Sequence, residues 1–256
     1  MNRLEAIRAV RAKLANNKPS LGSWIQIPHP SIAEILGQAG YDWVAVDMEH
    51  GSISACQLPD LFRALELGGT LPLVRLAEGD KKDCKKALDA GAGGVIVPMI
   101  ESAAQLAAVR DACRWPPSGT RGVAFSRANL FGKHFERYRE EAQAPLLIAM
   151  IESKEAVDNL EEILGVDGLD GILIGPYDLS ASMGITAQFS HSNFMAAMTR
   201  IQDLCKQFGK SSGVHVVQPD IKLLEDYLKD GYQFIAYSID SVFFNHAVHV
   251  PKLKEL

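Results

Sequence analysis

The chain has 256 residues, with 26 Lys and Arg against 31 Asp and Glu, giving a formal net charge of −5. At 47% apolar and 22% charged residues, the composition is that of a folded globular protein and excludes disordered and fibrous classes. A mildly acidic chain without a Lys/Arg-rich run is a poor match for nucleic acid or a membrane surface, so neither partner is expected.

A first amphipathic stretch at 4–14 interleaves charged and apolar residues, unlike a secretory leader. Short β-branched runs follow at 21–27, 43–47, 71–75, 94–98, 146–151, 171–174, 213–217 and 234–237. Segments of helical period separate them, among them 32–38, 58–66, 81–89, 103–113, 155–164 and 221–228. Strands alternating with helices predict parallel βα units, and Gly40, Gly91 and Gly231, each just before an apolar run, read as helix stops. Eight such units behind one extra helix predict a single (β/α)8 TIM barrel of the α/β class, one domain over 1–256. A doubly wound open sheet is disfavoured, because no G-x-G-x-x-G follows the first strand.

The interval 115–144, WPPSGTRGVAFSRANLFGKHFERYREEAQA, is too long for an ordinary loop. Its turn residues and aromatic run predict an ordered excursion near the functional face, returned to the barrel by a helix at 135–141. The four cysteines, Cys56, Cys84, Cys113 and Cys205, are scattered without a C-x-x-C pair and read as free thiols. Together with the missing leader and the absence of any apolar run of about 18 residues, this places the protein in the cytoplasm.

In such a barrel the functional face is built from the C-terminal ends of the strands. There the sequence places Asp47, Glu49 and His50 at the second strand, Arg75 at the third, Glu152 at the fifth and Asp178 at the sixth. Charges at these positions must satisfy one another, a metal or a ligand, since burying them unpaired is costly. Glu152 and Asp178, with no Cys beside them, suit a hard divalent cation such as Mg2+ or Mn2+; the competing reading is that each caps the helix that follows. His50 is the candidate general base, because imidazole titrates near neutrality and a nearby carboxylate can hold its tautomer. Arg75 would offer a fixed positive charge to an enolate or carboxylate oxygen, or pair with Asp47 or Glu49. The segment 174–184 reads as a strand end, a tight turn and a helix start whose Tyr177 and Asp178 N–H groups could take a substrate carboxylate. His215, inside the seventh strand, is expected to pack or pair in the barrel, and the last two strands lack the glycines of a barrel phosphate site.

Taken in order, Asp47-x-Glu-His50, Pro72-Leu-Val-Arg75, Leu88-Asp89-Ala-Gly-Ala, Val97-Pro98-Met, Pro116-Pro-x-Gly-x-Arg121-Gly, Ile151-Glu152-Ser-x-Glu-Ala and Ile174-Gly-Pro-x-Asp178-Leu-Ser form a specific set. That set resembles the HpcH/HpaI aldolase family over about 21–247. These are class II, metal-dependent pyruvate aldolases, 4-hydroxy-2-oxoheptanedioate and 2-dehydro-3-deoxyglucarate aldolases among them. The resemblance implies reversible cleavage of a 4-hydroxy-2-oxoacid to pyruvate and an aldehyde, with a divalent metal (Mg2+, Mn2+ or Co2+). It also implies a homo-oligomer, a hexamer arranged as a trimer of dimers that exchange their last helix. Residue by residue, it implies Glu152 and Asp178 as metal ligands, His50 as the base, and Arg75 as the group that stabilises the enolate. Asp47 joins that catalytic set, and Asp89 is implied as the acid that raises the basicity of the histidine. Tyr177 and Asp178 would hold the pyruvate carboxylate through the turn. Met150, counted with the substrate-binding positions, stands where many members have Gln, and 125–132 departs from the usual family sequence; both changes are expected to bear on the aldehyde pocket.

Three other readings compete. A Schiff-base aldolase needs a lysine inside the barrel, and no predicted strand contains one. A citrate-lyase-like cleavage of an acyl-CoA thioester would use a related barrel. A noncatalytic 2-oxoacid-binding relative would keep the barrel without the chemistry.

Overall fold

The computed structural model describes residues 1–250. Its strands are β1 (Ser20–Ile25), β2 (Trp43–Asp47), β3 (Leu71–Arg75), β4 (Gly94–Val97), β5 (Leu146–Ile151), β6 (Gly171–Ile174), β7 (Ser211–Val216) and β8 (Phe234–Ile239). They close in chain order into a barrel, every pair parallel, with β8 returning to β1. The (β/α)8 barrel expected from the alternation is therefore present. All residues of β2 to β6 are buried, because helices cover one face and side chains fill the other; this is why they read as continuous apolar runs instead of alternating ones.

The helices are α1 (Arg3–Ala15), α2 (Pro30–Gln38), α3 (Leu58–Leu67), α4 (Lys81–Ala90), α5 (Ala103–Cys113), α6 (Phe135–Gln143), α7 (Lys154–Asp158), α8 (Leu160–Leu164), α9 (Pro176–Ser182), α10 (Ser192–Phe208), α11 (Ile221–Lys229) and α12 (Asp240–Ala247). Local chemistry sets their ends. Asp80, Ser102, Ser153 and Asp220 cap α4, α5, α7 and α11 with side-chain oxygens, and α4 stops at Gly91, whose φ of +105° an L side chain rarely adopts. The stretch expected as one helix at 155–164 is two, α7 and α8, divided at Asn159, whose side-chain N–H donates to the Glu101 carbonyl at 2.8 Å. None of the described helices is long and apolar enough to cross a membrane.

The inside of the barrel is filled from Trp24, Trp43, Leu73, Ile96, Ile148, Leu173 and Phe234, and α1 seals its N-terminal end with Ile7, Val10 and Leu14, spaced to share one helix face. Trp43 stacks on Phe234 at 4.1 Å. Gly22 makes room for that pair, because a Cβ there would fall 2.2 Å from the Trp43 ring. With this end plugged, the barrel opens at the opposite mouth.

The 115–144 excursion is ordered as expected, but it lies at the sealed end and not near the functional face. α5 runs back from the mouth, so whatever joins it to β5 must sit where β5 begins. Arg127 donates to the Ala90 carbonyl at 2.8 Å and to Glu66 at 2.7 Å, Tyr138 donates to the Leu88 carbonyl at 3.4 Å, and Arg3 of α1 bonds Glu141 at 2.8 Å. These contacts tie the excursion to the ends of α3 and α4 and to α1. Trp115, Ala128, Tyr138 and Ala142 form its own small core.

Candidate active site

A cavity of about 250 Å3 occupies the open mouth, and His50, Arg75, Met150, Glu152, Tyr177 and Asp178 line it. Asp47 lies just beneath, fully buried. Register explains why: Asp47 and Arg75 are paired positions of β2 and β3. Asp47 Oδ1 accepts from Arg75 Nε at 2.9 Å, and Oδ2 accepts from Arg75 Nη2 at 2.6 Å and from Gln26 Nε2 at 2.9 Å. Oδ1 also takes the backbone N–H groups of Glu49 and His50, at 3.1 and 3.2 Å. Burial alone would raise the Asp47 carboxyl, but the bond and charge of Arg75 outweigh it and hold the group below its ordinary value. Asp47 is thus a positioning residue: it fixes the arginine and the turn that carries His50, and does not reach the cavity wall. The tautomer support expected for His50 is absent, since the carboxylate takes its backbone N–H and not its ring.

Arg75 also meets Glu49 Oε2 through Nη1 at 2.8 Å. Both of its expected ion pairs therefore form together, although only the Asp47 contacts have hydrogen-bond geometry. Its guanidinium lies over the Trp24 ring, 5.3 Å from the centroid. Burial raises the Glu49 carboxyl despite Arg75.

Glu152 is 3% exposed. Its Oε2 accepts the Met99 N–H at 2.9 Å, an aim secured by the left-handed φ of +50° at Met99. Oε1 faces Gly175, where a Cβ would fall 2.4 Å from it. Burial, and then the charges of Glu49 and Asp178, push the Glu152 carboxyl up to about 7, against the Met99 bond and Arg75. Asp178, exposed in the first turn of α9, shares that turn with Tyr177, 56% exposed; their N–H groups are in the turn that lacks intrahelical acceptors.

No group of three or more His, Cys, Asp or Glu side chains is gathered for a metal among the described residues. The fit rests on charge: besides burial, the negative charge of Glu49 and Asp178 raises the Glu152 carboxyl, with Arg75 as the nearby cation. A hard dication held by Glu152 and Asp178 would offset that excess with the oxygen ligands such ions take.

Asp89 does not join the site within one chain. It stands in the last turn of α4, where the helix reaches the sealed end, with Oδ1 3.9 Å from Arg121 Nη1. Burial raises its carboxyl, opposed by Arg121 and two lysines. Sequence reasoning missed Trp24 and Gln26 on the cavity wall, for which the signal available was the inward phase of β1; His215 packs on Trp24 and pairs with the Ser238 carbonyl as expected for a barrel residue, and also stands on that wall. A larger cavity of about 310 Å3 at the sealed end contains Arg3 and Arg127, already bound to Glu66 and Glu141, and none of the expected site residues.

A parallel barrel whose mouth gathers carboxylates, an arginine and a histidine around one cavity is a framework on which carbon–carbon lyases are built. The chain belongs to the HpcH/HpaI aldolase/citrate lyase family, whose description it matches over residues 20–247, and it is a carbon–carbon lyase of the aldolase type acting on a small molecule. It is 35% identical over 237 residues to the hydroxypyruvate/pyruvate aldolase of Roseobacter denitrificans, covering 91% of each chain. It is 36% identical over 242 residues to the 4-hydroxy-2-oxovalerate aldolase of Novosphingobium aromaticivorans, covering 93% of this chain and 90% of that one. Among solved structures, a HpcH/HpaI aldolase/citrate lyase family protein from Burkholderia cenocepacia superposes with a TM-score of 0.87 at 32% identity, over 93% of this chain and 95% of that one. The family is metal-dependent.

Proposed function

We propose that the protein reversibly cleaves a 4-hydroxy-2-oxoacid into pyruvate, or a close 2-oxoacid, and an aldehyde, with Mg2+, Mn2+ or Co2+ held by Glu152 and Asp178. The observation that carries this reading is Glu152, whose burial, and then whose carboxylate neighbours, raise its proton affinity in a way a dication would reverse, in one cavity with His50 and Arg75. When bound, the ion would draw electron density from the 2-oxo group as a Lewis acid.

The chain's own groups do the rest. His50 at the rim takes the proton of the 4-hydroxyl as the C3–C4 bond breaks, and the aldehyde leaves while the bonding pair stays with the 2-oxoacid half as an enolate; return of that proton from His50 to C3, directly or through water, gives the 2-oxoacid and restores the base. Arg75, immobilised by Asp47 and paired with Glu49, presents its remaining N–H groups to the oxygen on which that charge develops. The N–H groups of Tyr177 and Asp178 orient the substrate carboxylate, and Met150 supplies apolar wall where a Gln would have offered an amide.

The role implied for Asp89 needs a second subunit, since within one chain it stands at the far end of the barrel from His50. A homo-oligomer, with a hexamer exchanging its last helix as the arrangement the resemblance implies, would place the sealed end of one barrel near the mouth of another. The four free thiols accord with a cytoplasmic enzyme. The test is a panel of aldehydes with pyruvate and each metal, together with deuterium exchange into the pyruvate methyl group. Exchange and condensation that EDTA abolishes are expected. Full activity in EDTA would remove the metal assignment, and stabilisation by coenzyme A without condensation would favour thioester cleavage.

A further inference from the structure

Strand register places Gln26 between two polar neighbours. Ile25 of β1 pairs with Val46 of β2, and Trp24 pairs with Ile239 of β8, so the residue after β1 stands beside Asp47 on one side and beside Ser241, in the first turn of α12, on the other. Trp24, Trp43 and Ala45 fill the inside of the barrel. Side chains two apart along a strand share a face, so Gln26 and Asp47 both turn inward, and Gln26 lines the cavity. Its Nε2 lies 2.9 Å from Asp47 Oδ2, and its Oε1 lies 3.2 Å from the Ser241 hydroxyl.

The amide has one orientation. Against burial, Arg75 and then Gln26 hold the Asp47 carboxyl below its ordinary value; a carboxylate only accepts, so the NH2 group faces Asp47 and the Gln26 oxygen accepts from Ser241. The main chain is fixed from the same side. Asp240, 5% exposed, accepts the N–H groups of Gln26 at 2.9 Å, Ile27 at 2.8 Å and Ser241 at 2.7 Å. It does for the turn after β1 what Asp47 does for the turn after β2, and it is the only buried residue of α12. The first turn of α12 is thus bonded to Gln26 at its backbone and at its amide oxygen. The amide nitrogen passes that constraint to the oxygen that also holds Arg75 Nη2 at 2.6 Å, and hydrogen bonds chained in a low dielectric reinforce one another.

We propose that Gln26 is a positioning residue: held by Asp240 and Ser241, its amide keeps the Asp47 carboxylate turned to Arg75 and thereby aligns the guanidinium for the charge that develops on the enolate. The inference rests on the aldolase reading above and leaves its chemistry unchanged. Gln26 moves no proton and acts through Asp47. Its removal therefore costs rate more than substrate binding, because the alignment of the arginine counts most where charge develops.

The test compares the wild-type protein with Gln26→Leu, Ser241→Ala and the double variant by condensation of pyruvate with one aldehyde, by Mn2+ calorimetry and by crystal structures. Gln26→Leu, which removes both amide bonds, is expected to lower kcat about tenfold while the pyruvate KM and the Mn2+ dissociation constant stay within about twofold. Ser241→Ala should lower kcat about threefold, and by nothing further in the Gln26→Leu background, since it acts only through the amide. The crystal structure of Gln26→Leu should show Asp47 Oδ2 beyond hydrogen-bond distance of Arg75 Nη2. Unchanged kcat in both single variants, additive effects of the two substitutions, or a fall in kcat with the Asp47–Arg75 pair unmoved overturns the proposal. A raised KM at unchanged kcat also overturns it, by making Gln26 a substrate contact. Should Gln26→Leu fail to fold, Ser241→Ala decides alone, and its unchanged kcat overturns the proposal. Absence of turnover in the wild-type protein removes the aldolase reading, and the crystal structures then decide on Gln26: a displaced Asp47 supports its role, and an unmoved Asp47–Arg75 pair overturns it.

Discussion

Asp47 and Arg75 face each other at paired positions of β2 and β3, and the carboxylate grips the guanidinium twice, at 2.9 Å through Nε and 2.6 Å through Nη2. The same carboxylate takes the N–H groups of Glu49 and His50, so one buried charge organises both groups assigned to the reaction. Removing it leaves Arg75 half unpaired in the barrel, which for a buried pair costs about 3 kcal/mol. Asp47→Asn should lower the urea midpoint accordingly and reduce kcat by about a hundredfold through displacement of His50 and Arg75. Unchanged kcat in a folded Asp47→Asn protein would contradict the positioning role.

Glu152 predicts a pH dependence with a definite sign. Its carboxyl is raised from 4.5 to about 7 in the folded chain, so between these values the native state holds a proton that the unfolded state has released. Stability linked to this group is complete below about pH 4.5, declines as pH rises and is lost above about 7, on the order of 3 kcal/mol in all. Urea unfolding in EDTA should therefore show a lower midpoint at pH 8 than at pH 5, and Glu152→Gln should remove most of that difference. A difference that survives the substitution would place its origin elsewhere.

Gly175 is tested by adding one methyl group. Its Cβ would fall 2.4 Å from Glu152 Oε1 and 2.7 Å from Cγ, so Gly175→Ala must push the carboxylate aside. Mn2+ affinity, followed by calorimetry, should weaken about tenfold or more while thermal unfolding of the metal-free protein changes little, because ligand geometry is more demanding than packing at this rim. Equal affinity would remove Glu152 from the ion's coordination.

Much of this arrangement is legible in the sequence because barrel topology converts strand ends into neighbours: WVAVD and LPLVR alone place Asp47 and Arg75 as adjacent rim charges. The direction of the excursion is legible too, although the sequence reading places it at the functional face: the helix predicted at 103–113 runs back from the mouth, so an insertion between it and the fifth strand, FSRANLFGKHF included, must lie at the sealed end. His215 is legible as a barrel residue that packs or pairs, and it does both, against Trp24 and the Ser238 carbonyl; its place on the cavity wall is not, because in strands with apolar residues on both faces composition does not mark which positions reach the mouth.

Asp89 supplies the sharpest test of assembly. Its carboxylate lies near Arg121 at the sealed end, with Oδ1 unbonded, whereas His50 lines the open mouth, so an effect of Asp89 on the histidine must cross between subunits. His50→Ala and Asp89→Asn chains should each be poorly active alone. Co-expressed, they should recover activity, because sites that combine the His50 of one chain with the Asp89 of the other are intact; random mixing restores about a quarter of them in a homo-oligomer. Size-exclusion chromatography of the mixed protein confirms assembly, and failure of a correctly assembled mixture to regain activity would show that Asp89 does not act on the histidine of a neighbouring subunit.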